Sequence, residues 1–329
     1  MSAPLPTARG PLSELVLAML RGEAPSLAPL RTGDDVILDE DAQLALWLLL
    51  ELHHRGLRGV DPELEWDPQV IRVRRELEEA HLAALRELVR DRLALVDPDE
   101  DLARQIATLI AQDDGPLVAD FLARRADEEQ FRDFLRQRSI YHLKESDPQA
   151  FVVPRLDGPA KVALAELQYD EFGAGRPAGL HSLLFAQALQ ACGLDPSYGA
   201  HLDQARVSTL AVSTTMSIFG LHRRWRGAAM GHLAAFESTS SVPCRRIAAG
   251  ARRLGLPDAV AAYYDEHVEA DAVHEQLAVH GICVPMVAAE PELRADVLLG
   301  VAACLELDAL AGREQLDLWQ AGAAEQVPA

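Results

Sequence analysis

Cysteine is scarce in this chain: Cys192, Cys244, Cys283 and Cys304 are the whole complement, and no two of them stand in a C-x-x-C spacing. That excludes a disulfide framework and points to buried structural thiols in a reducing compartment. Lysine is scarcer still, present only as Lys144 and Lys161, and no Lys/Arg cluster offsets a formal net charge of −20. Such a chain repels nucleic acid and anionic lipid, so neither is expected as a partner. Long apolar runs are missing. The most apolar one, Leu44 to Leu50, is closed by Glu51, far short of the roughly 20 residues needed to span a bilayer. Met1 to Gly10 carries prolines and no apolar core, so no signal peptide is expected and a soluble cytoplasmic protein is. Alternating β-branched runs and internal repeats are also absent, which leaves no basis for a sheet.

What remains is helix. At 329 residues the chain can bury a substantial core without disulfides or metal staples. Residues 1–35 read as a flexible lead-in with one short helix around Leu12 to Leu20. From Asp39 the run DEDAQLALWLLLELHHRG has acids at its start and Gly56 at its end, as a dipole-matched, glycine-capped helix should. A second amphipathic helix is expected at about 69–95. The segment VDPDE, 96–100, then breaks the pattern and divides an N-terminal helical extension, 1–97, from a main domain, 98–320, with a flexible tail at 321–329. Helices in the main domain are expected at about 101–112, 116–125, 128–145, 159–172, 177–192, 207–220, 224–239, 242–254, 257–280 and 291–320, with Gly and Pro at the joins. The fold class is all-α.

The stretch YYDEHVEADAVHEQLAVH, Tyr263 to His280, carries the chemistry. At about 100° per residue, His267, Asp271 and His274 fall within an arc of roughly 60° and project from one helix face. Three other segments put an acid or imidazole where a bundle interior is plausible. Glu145 ends a long helix in YHLKESDP. Glu171 precedes the Gly173-Ala174-Gly175 break, and His181 opens the apolar helix beyond it. Glu237 is the one acid in a stretch of small, apolar and hydroxyl residues. An unpaired carboxylate in such surroundings is costly to ionise, and a metal ion relieves that cost. Three imidazoles and four carboxylates suit iron or manganese better than structural zinc, and seven ligands are too many for one ion but fit two ions bridged by a carboxylate.

The order Glu145, Glu171, His181, Glu237, then His267-x-x-x-Asp271-x-x-His274, with the phrases LQYDEFGAGRP and YYDEHVEADAVHE, resembles the haem-oxygenase-like di-iron oxidases, also called iron-containing redox enzymes. The resemblance covers roughly Pro98 to Gln320. It implies a haem-oxygenase-like seven-helix bundle, an N-terminal extension of the kind such proteins carry, and a centre of two Fe2+ ions that activates O2 as co-substrate. In its terms Glu145, His181, Glu237, His267, Asp271 and His274 are metal ligands. Glu171 matches an extra carboxylate of the N-oxygenating members, with neighbouring Glu166 and Asp170 as alternatives for that role. On its glycine hinge Glu171 is also the expected catalytic residue, able to swing onto iron and withdraw. The expected activity is N-oxygenation of a small amine, guanidine or amino acid. The alternatives are oxidative C–H or C–C cleavage of an aliphatic acid on the same centre, and metal-free hydrolysis of the thiaminase type with a cysteine nucleophile. A small-molecule substrate is expected as partner, with an external electron donor and a homodimer left open. Arg155 and Arg176 flank the second ligand helix as carboxylate-binding candidates, with helix capping or surface exposure as their plainer roles. Glu51-x-x-His54 and Glu78-x-x-His81 have the spacing of ferritin-like di-iron ligands, but no second pair of long helices supplies the remaining glutamates, so these four are read as surface or packing residues.

Overall fold

A computed structural model describes residues 2–23, 30, 32–33, 35–115 and 117–325, excluding the side chains of 269–272 and 322–325. Among the described residues there is no β-strand, only an isolated bridge between Ala3 and Leu57. Apart from two single turns, Arg90–Leu93 and Asp147–Ala150, the α-helices are α1 (Pro11–Leu20), α2 (Glu40–Glu51), α3 (Pro68–Leu88), α4 (Leu102–Ala111), α5 (Val118–Arg124), α6 (Glu128–His142), α7 (Gly158–Glu171), α8 (His181–Ala191), α9 (Val207–Leu221), α10 (Arg226–Arg253), α11 (Asp258–Gln276), α12 (Val284–Ala289) and α13 (Arg294–Glu325). The architecture is all-α and haem-oxygenase-like, as expected. None of these helices is long and apolar enough to cross a membrane.

The bundle is built around α10, which packs along α13, α11 and α5. The α10–α13 crossing is close because its contact residues are small. A Cβ on Gly231 would stand 1.9 Å from the Val297 carbonyl oxygen, so only glycine allows the two backbones to meet there. Pro243 lies within α10, where the sequence suggested a break between two helices. Its ring removes the N–H that would bond the Thr239 carbonyl. The hydroxyls of Thr239 and Ser240 turn back onto the Ala235 and Phe236 carbonyls at 2.8 Å each, and the helix runs on as one.

Two further boundaries differ from the sequence reading. Helix α6 stops at His142, so Glu145 stands beyond its end, in a turn where Ser146 adopts a left-handed φ of 65°. Helix α11 gives way at Leu277–Cys283 to a π-helical stretch that packs on α7. Past Gln320 the backbone of α13 stays helical to Glu325, and 326–329 lie outside the described residues.

The N-terminal helices share one continuous hydrophobic core with the rest. Leu44 through Leu50 are each no more than 1% exposed, so α2 is apolar all round because it is covered all round, by α1 on one side and α9 on another. Each such leucine contributes about 1.5–3 kcal/mol relative to exposure. Polar side chains fix the register. Gln43 meets His81 Nδ1 at 2.9 Å, and His81 Nε2 meets Thr215 at 2.8 Å. Glu51 is wholly buried and accepts from Tyr198 at 2.7 Å and from Lys144 at 3.3 Å. Glu78 is held by Arg74 at 3.2 Å and His222 at 3.0 Å. Glu51, Glu78 and His81 are therefore packing devices with polar protein partners, while His54 packs its ring edge-on against Phe151 and hydrogen-bonds through neither nitrogen.

Candidate metal centre

Five segments converge on one place in the bundle. The turn after α6 brings Glu145, the last residue of α7 brings Glu171, the first of α8 brings His181, the middle of α10 brings Glu237, and α11 brings His267 and His274 two turns apart. Their ligand-type atoms fall into two groups, Glu145 with His181 and His267, and Glu171 with Glu237 and His274, each within 4.8 Å of one another. Asp271 lies on α11 between the two histidines, but its side chain is outside the described residues. The sequence thus named every member of both groups. Of the alternatives to Glu171, Glu166 faces solvent, while Asp170 is half-exposed with Oδ2 3.6 Å from His274 Nε2.

Glu171 joins the two groups. Its Oε2 is 3.1 Å from His181 Nδ1, and its Oε1 is 3.4 Å from His274 Nδ1, which also lies 3.5 Å from Glu237 Oε2. The local backbone explains how a helix-terminal glutamate can point inward. Gly173 takes φ 88°, and a Cβ there would stand 2.4 Å from the Arg176 carbonyl, so glycine lets the chain double back to start α8 beside the end of α7.

His267 is held as metal-binding imidazoles usually are. Nδ1 donates to the Tyr263 carbonyl one turn back at 2.8 Å, which fixes the tautomer and aims Nε2 into the site. Nε2 is buried and hydrogen-bonded to nothing, since Glu145 Oε1 at 3.6 Å is too far. His181 Nδ1, also buried, makes no well-directed hydrogen bond despite its closeness to Glu171. Buried imidazole nitrogens left this way among carboxylates are a donor set that fits a divalent iron or manganese ion.

The electrostatics say the same. Burial works against charge on His267, but the Glu145 and Glu171 carboxylates outweigh it and carry its pKa up to about 10. Burial likewise opposes ionisation of Glu145, yet His142, His267 and His181 bring its carboxyl down to about 2. Protons on imidazole thus do what a cation would do, and an ion binding there must displace them.

Two residues of this site were not singled out in the sequence. Tyr263, buried, donates to Glu145 Oε2 at 2.9 Å and in turn accepts from His142 Nδ1. The signal was present as H-x-x-E across 142–145 and Y-x-x-x-H across 263–267, spacings that put each partner one helical turn from a ligand candidate. Arg155 instead donates to the Gly220 and Leu221 carbonyls at 2.7 and 2.6 Å and caps the end of α9. The cysteines are all buried, and burial raises the pKa of Cys192, Cys283 (to about 12) and Cys304, leaving these thiols without the thiolate a hydrolase would need.

No curated protein matches the chain. Residues 132–309, more than half of it and including every residue of both groups, match the family model of the iron-containing redox enzymes, and the chain belongs to that family.

Proposed function

We propose that this iron-dependent redox enzyme is a non-haem di-iron oxygenase that activates O2 and transfers oxygen to nitrogen in a small amine, guanidine or amino acid. The observation that carries the two-ion reading is Glu171, whose two oxygens face the two donor groups at 3.1 and 3.4 Å. One carboxylate common to two sets of imidazoles is the arrangement a bridged pair of ions uses. A pair of ferrous ions bound there would supply two electrons toward dioxygen, the others coming from the substrate or an external donor. In this reading Glu145, His181 and His267 hold one ion and Glu171, Glu237 and His274 the other, with Asp271 completing the set from α11.

The chain's own residues do the rest. Tyr263 orients Glu145, and the Tyr263 carbonyl orients His267. Burial of Glu171, His181, Glu237, His267 and His274, each no more than 6% exposed, keeps bulk water from the reacting atoms. Glu171, at the junction of a helix end and a glycine-rich turn, is the carboxylate able to change its mode of binding as charge builds up. Cleavage of an aliphatic C–H or C–C bond is the second reading, favoured by the apolar cavity described below.

The test is oxygen uptake by protein loaded with Fe2+ under anaerobic conditions, with amines, guanidines and amino acids as substrates and isotope-labelled O2. The expected result is label on nitrogen of one class of compound, lost in Glu171→Ala. Unchanged product formation by that variant would remove Glu171 from the chemistry. Label found only on carbon would replace the first reading with the second.

A further inference from the structure

A cavity of about 210 Å³ lies between α6, α10 and α13, about seven waters' worth at the liquid share of about 30 Å³ each. The buried part of its lining, taken as its inner end, includes His142, His232 and Tyr264. His142 ties this end to the candidate centre, its Nδ1 3.7 Å from Glu145 Oε1. Its outer end opens beside Arg138 and Asp308.

The two ends differ in charge. At the outer end Arg138 spreads its guanidinium over the Phe134 and Tyr141 rings, 5.2 and 5.5 Å from their centroids. Its Nη1 and Nη2 both reach the same oxygen, Asp308 Oδ1, and only at 3.4 Å. A guanidinium so loosely engaged keeps its planar fork for a carboxylate, and Asp308, with a side chain 64% exposed, offers a negative charge beside it. The charged residues of the lining, Asp113, Arg138, Arg246 and Asp308, are all at least partly exposed, and Arg246 pairs with Asp120 at 3.0 Å while Asp113 faces Arg92 at 3.7 Å. Burial draws His232 down to about 4, so it is neutral at physiological pH. The Tyr264 hydroxyl, also buried there, has no hydrogen-bond partner. A charged terminus placed inward would meet no counterion, whereas an uncharged one meets aromatic and aliphatic surface.

We propose that this cavity binds an α-amino acid as its zwitterion, the carboxylate on Arg138, the ammonium on Asp308, and an uncharged side chain directed inward toward the candidate centre. As a statement about the substrate this rests on the oxygenase reading; as a statement about binding it does not. The end to be oxidised is then the side chain, at nitrogen or at carbon, and not the α-nitrogen.

Calorimetric titration of metal-free protein tests it, with L-leucine, 4-methylpentanoate, which lacks the ammonium, and 3-methylbutylamine, which lacks the carboxylate. L-Leucine should bind about tenfold or more tightly than either, the worth of one charge-assisted contact. Arg138→Gln should weaken L-leucine and 4-methylpentanoate, Asp308→Asn should weaken L-leucine and 3-methylbutylamine, and Val212→Trp, which fills the cavity, should abolish all three. Circular dichroism and the melting temperature check that each variant is folded. Absent L-leucine binding, binding of either truncated compound as tight as that of L-leucine, or indifference to both charge variants would overturn the proposal. Iron uptake by the same samples separates the claims. Lost leucine binding with intact iron uptake refutes only the cavity assignment, and the converse refutes only the di-iron reading.

Discussion

Tyr263 and Tyr264 are neighbours on α11, both buried, and removing the two hydroxyls should have opposite consequences. Tyr263 donates to Glu145 Oε2 at 2.9 Å and accepts from His142 Nδ1, while the Tyr264 hydroxyl has no hydrogen-bond partner. In Tyr263→Phe the ring stays, so no cavity opens. Glu145 loses a bond to its charged form worth about 1.5–3 kcal/mol and with it the constraint on its rotation. Partners of metal ligands usually cost 10- to 100-fold in metal affinity when removed. Tyr263→Phe should therefore weaken binding at the Glu145, His181, His267 group by about that factor, or about 1.4–2.8 kcal/mol. Tyr264→Phe removes a buried polar atom that satisfies nothing, so its affinity should match the parent and its stability should equal or exceed it. Anaerobic Co2+ titration followed by the visible d–d bands reads both. Equal affinities for Tyr263→Phe and the parent, or equal losses in the two variants, would refute the reasoning.

Two other predictions concern the frame around the site. His81, buried between Gln43 and Thr215, is drawn down by burial to about 4. A histidine with a lowered folded pKa binds its proton more readily when unfolded, so stability should fall as pH drops from about 6.5 to about 4, by up to about 3 kcal/mol from this residue alone. Urea unfolding across that range should give a slope that shrinks in His81→Gln, and an unchanged slope would assign the titration elsewhere. Gly231→Ala sets a methyl 1.9 Å from a backbone carbonyl on α13, where no flexible side chain can move aside. Overpacking of this kind costs about 1–3 kcal/mol, so the melting temperature should fall by several degrees; a melting temperature equal to the parent's would mean that the helices separate freely.

Much of this was legible in the sequence because helices announce themselves by period. The i, i+4, i+7 spacing of His267, Asp271 and His274 set three donors on one face, and Glu237 stood out as a lone acid among apolar and hydroxyl residues. The grouping of donors was not legible, because it depends on how five segments cross and on Gly173 turning α7 back toward α8. The stop of α6 before Glu145 carries no glycine or proline to mark it, since the turn runs through Leu143 to a left-handed Ser146 that opens the next helical turn. The continuity of α10 through Pro243 was not legible either, because a proline inside a helical pattern usually ends it and nothing in the residue types marks this one as tolerated. Tyr263 and His142 escaped notice because a tyrosine or histidine one turn from a ligand candidate is ordinary until the fold brings their polar atoms together.

The account stands or falls on how many ions the protein holds and with which residues. Anaerobic titration with Fe2+, followed by removal of free metal and iron analysis, should give two ions per chain. His267→Ala should leave one ion, held by Glu171, Glu237 and His274. His274→Ala should leave one, held by Glu145, His181 and His267, and Glu171→Ala should weaken both. A parent chain that saturates at one ion, or either histidine variant that still binds two as tightly as the parent, would contradict the bridged two-group centre.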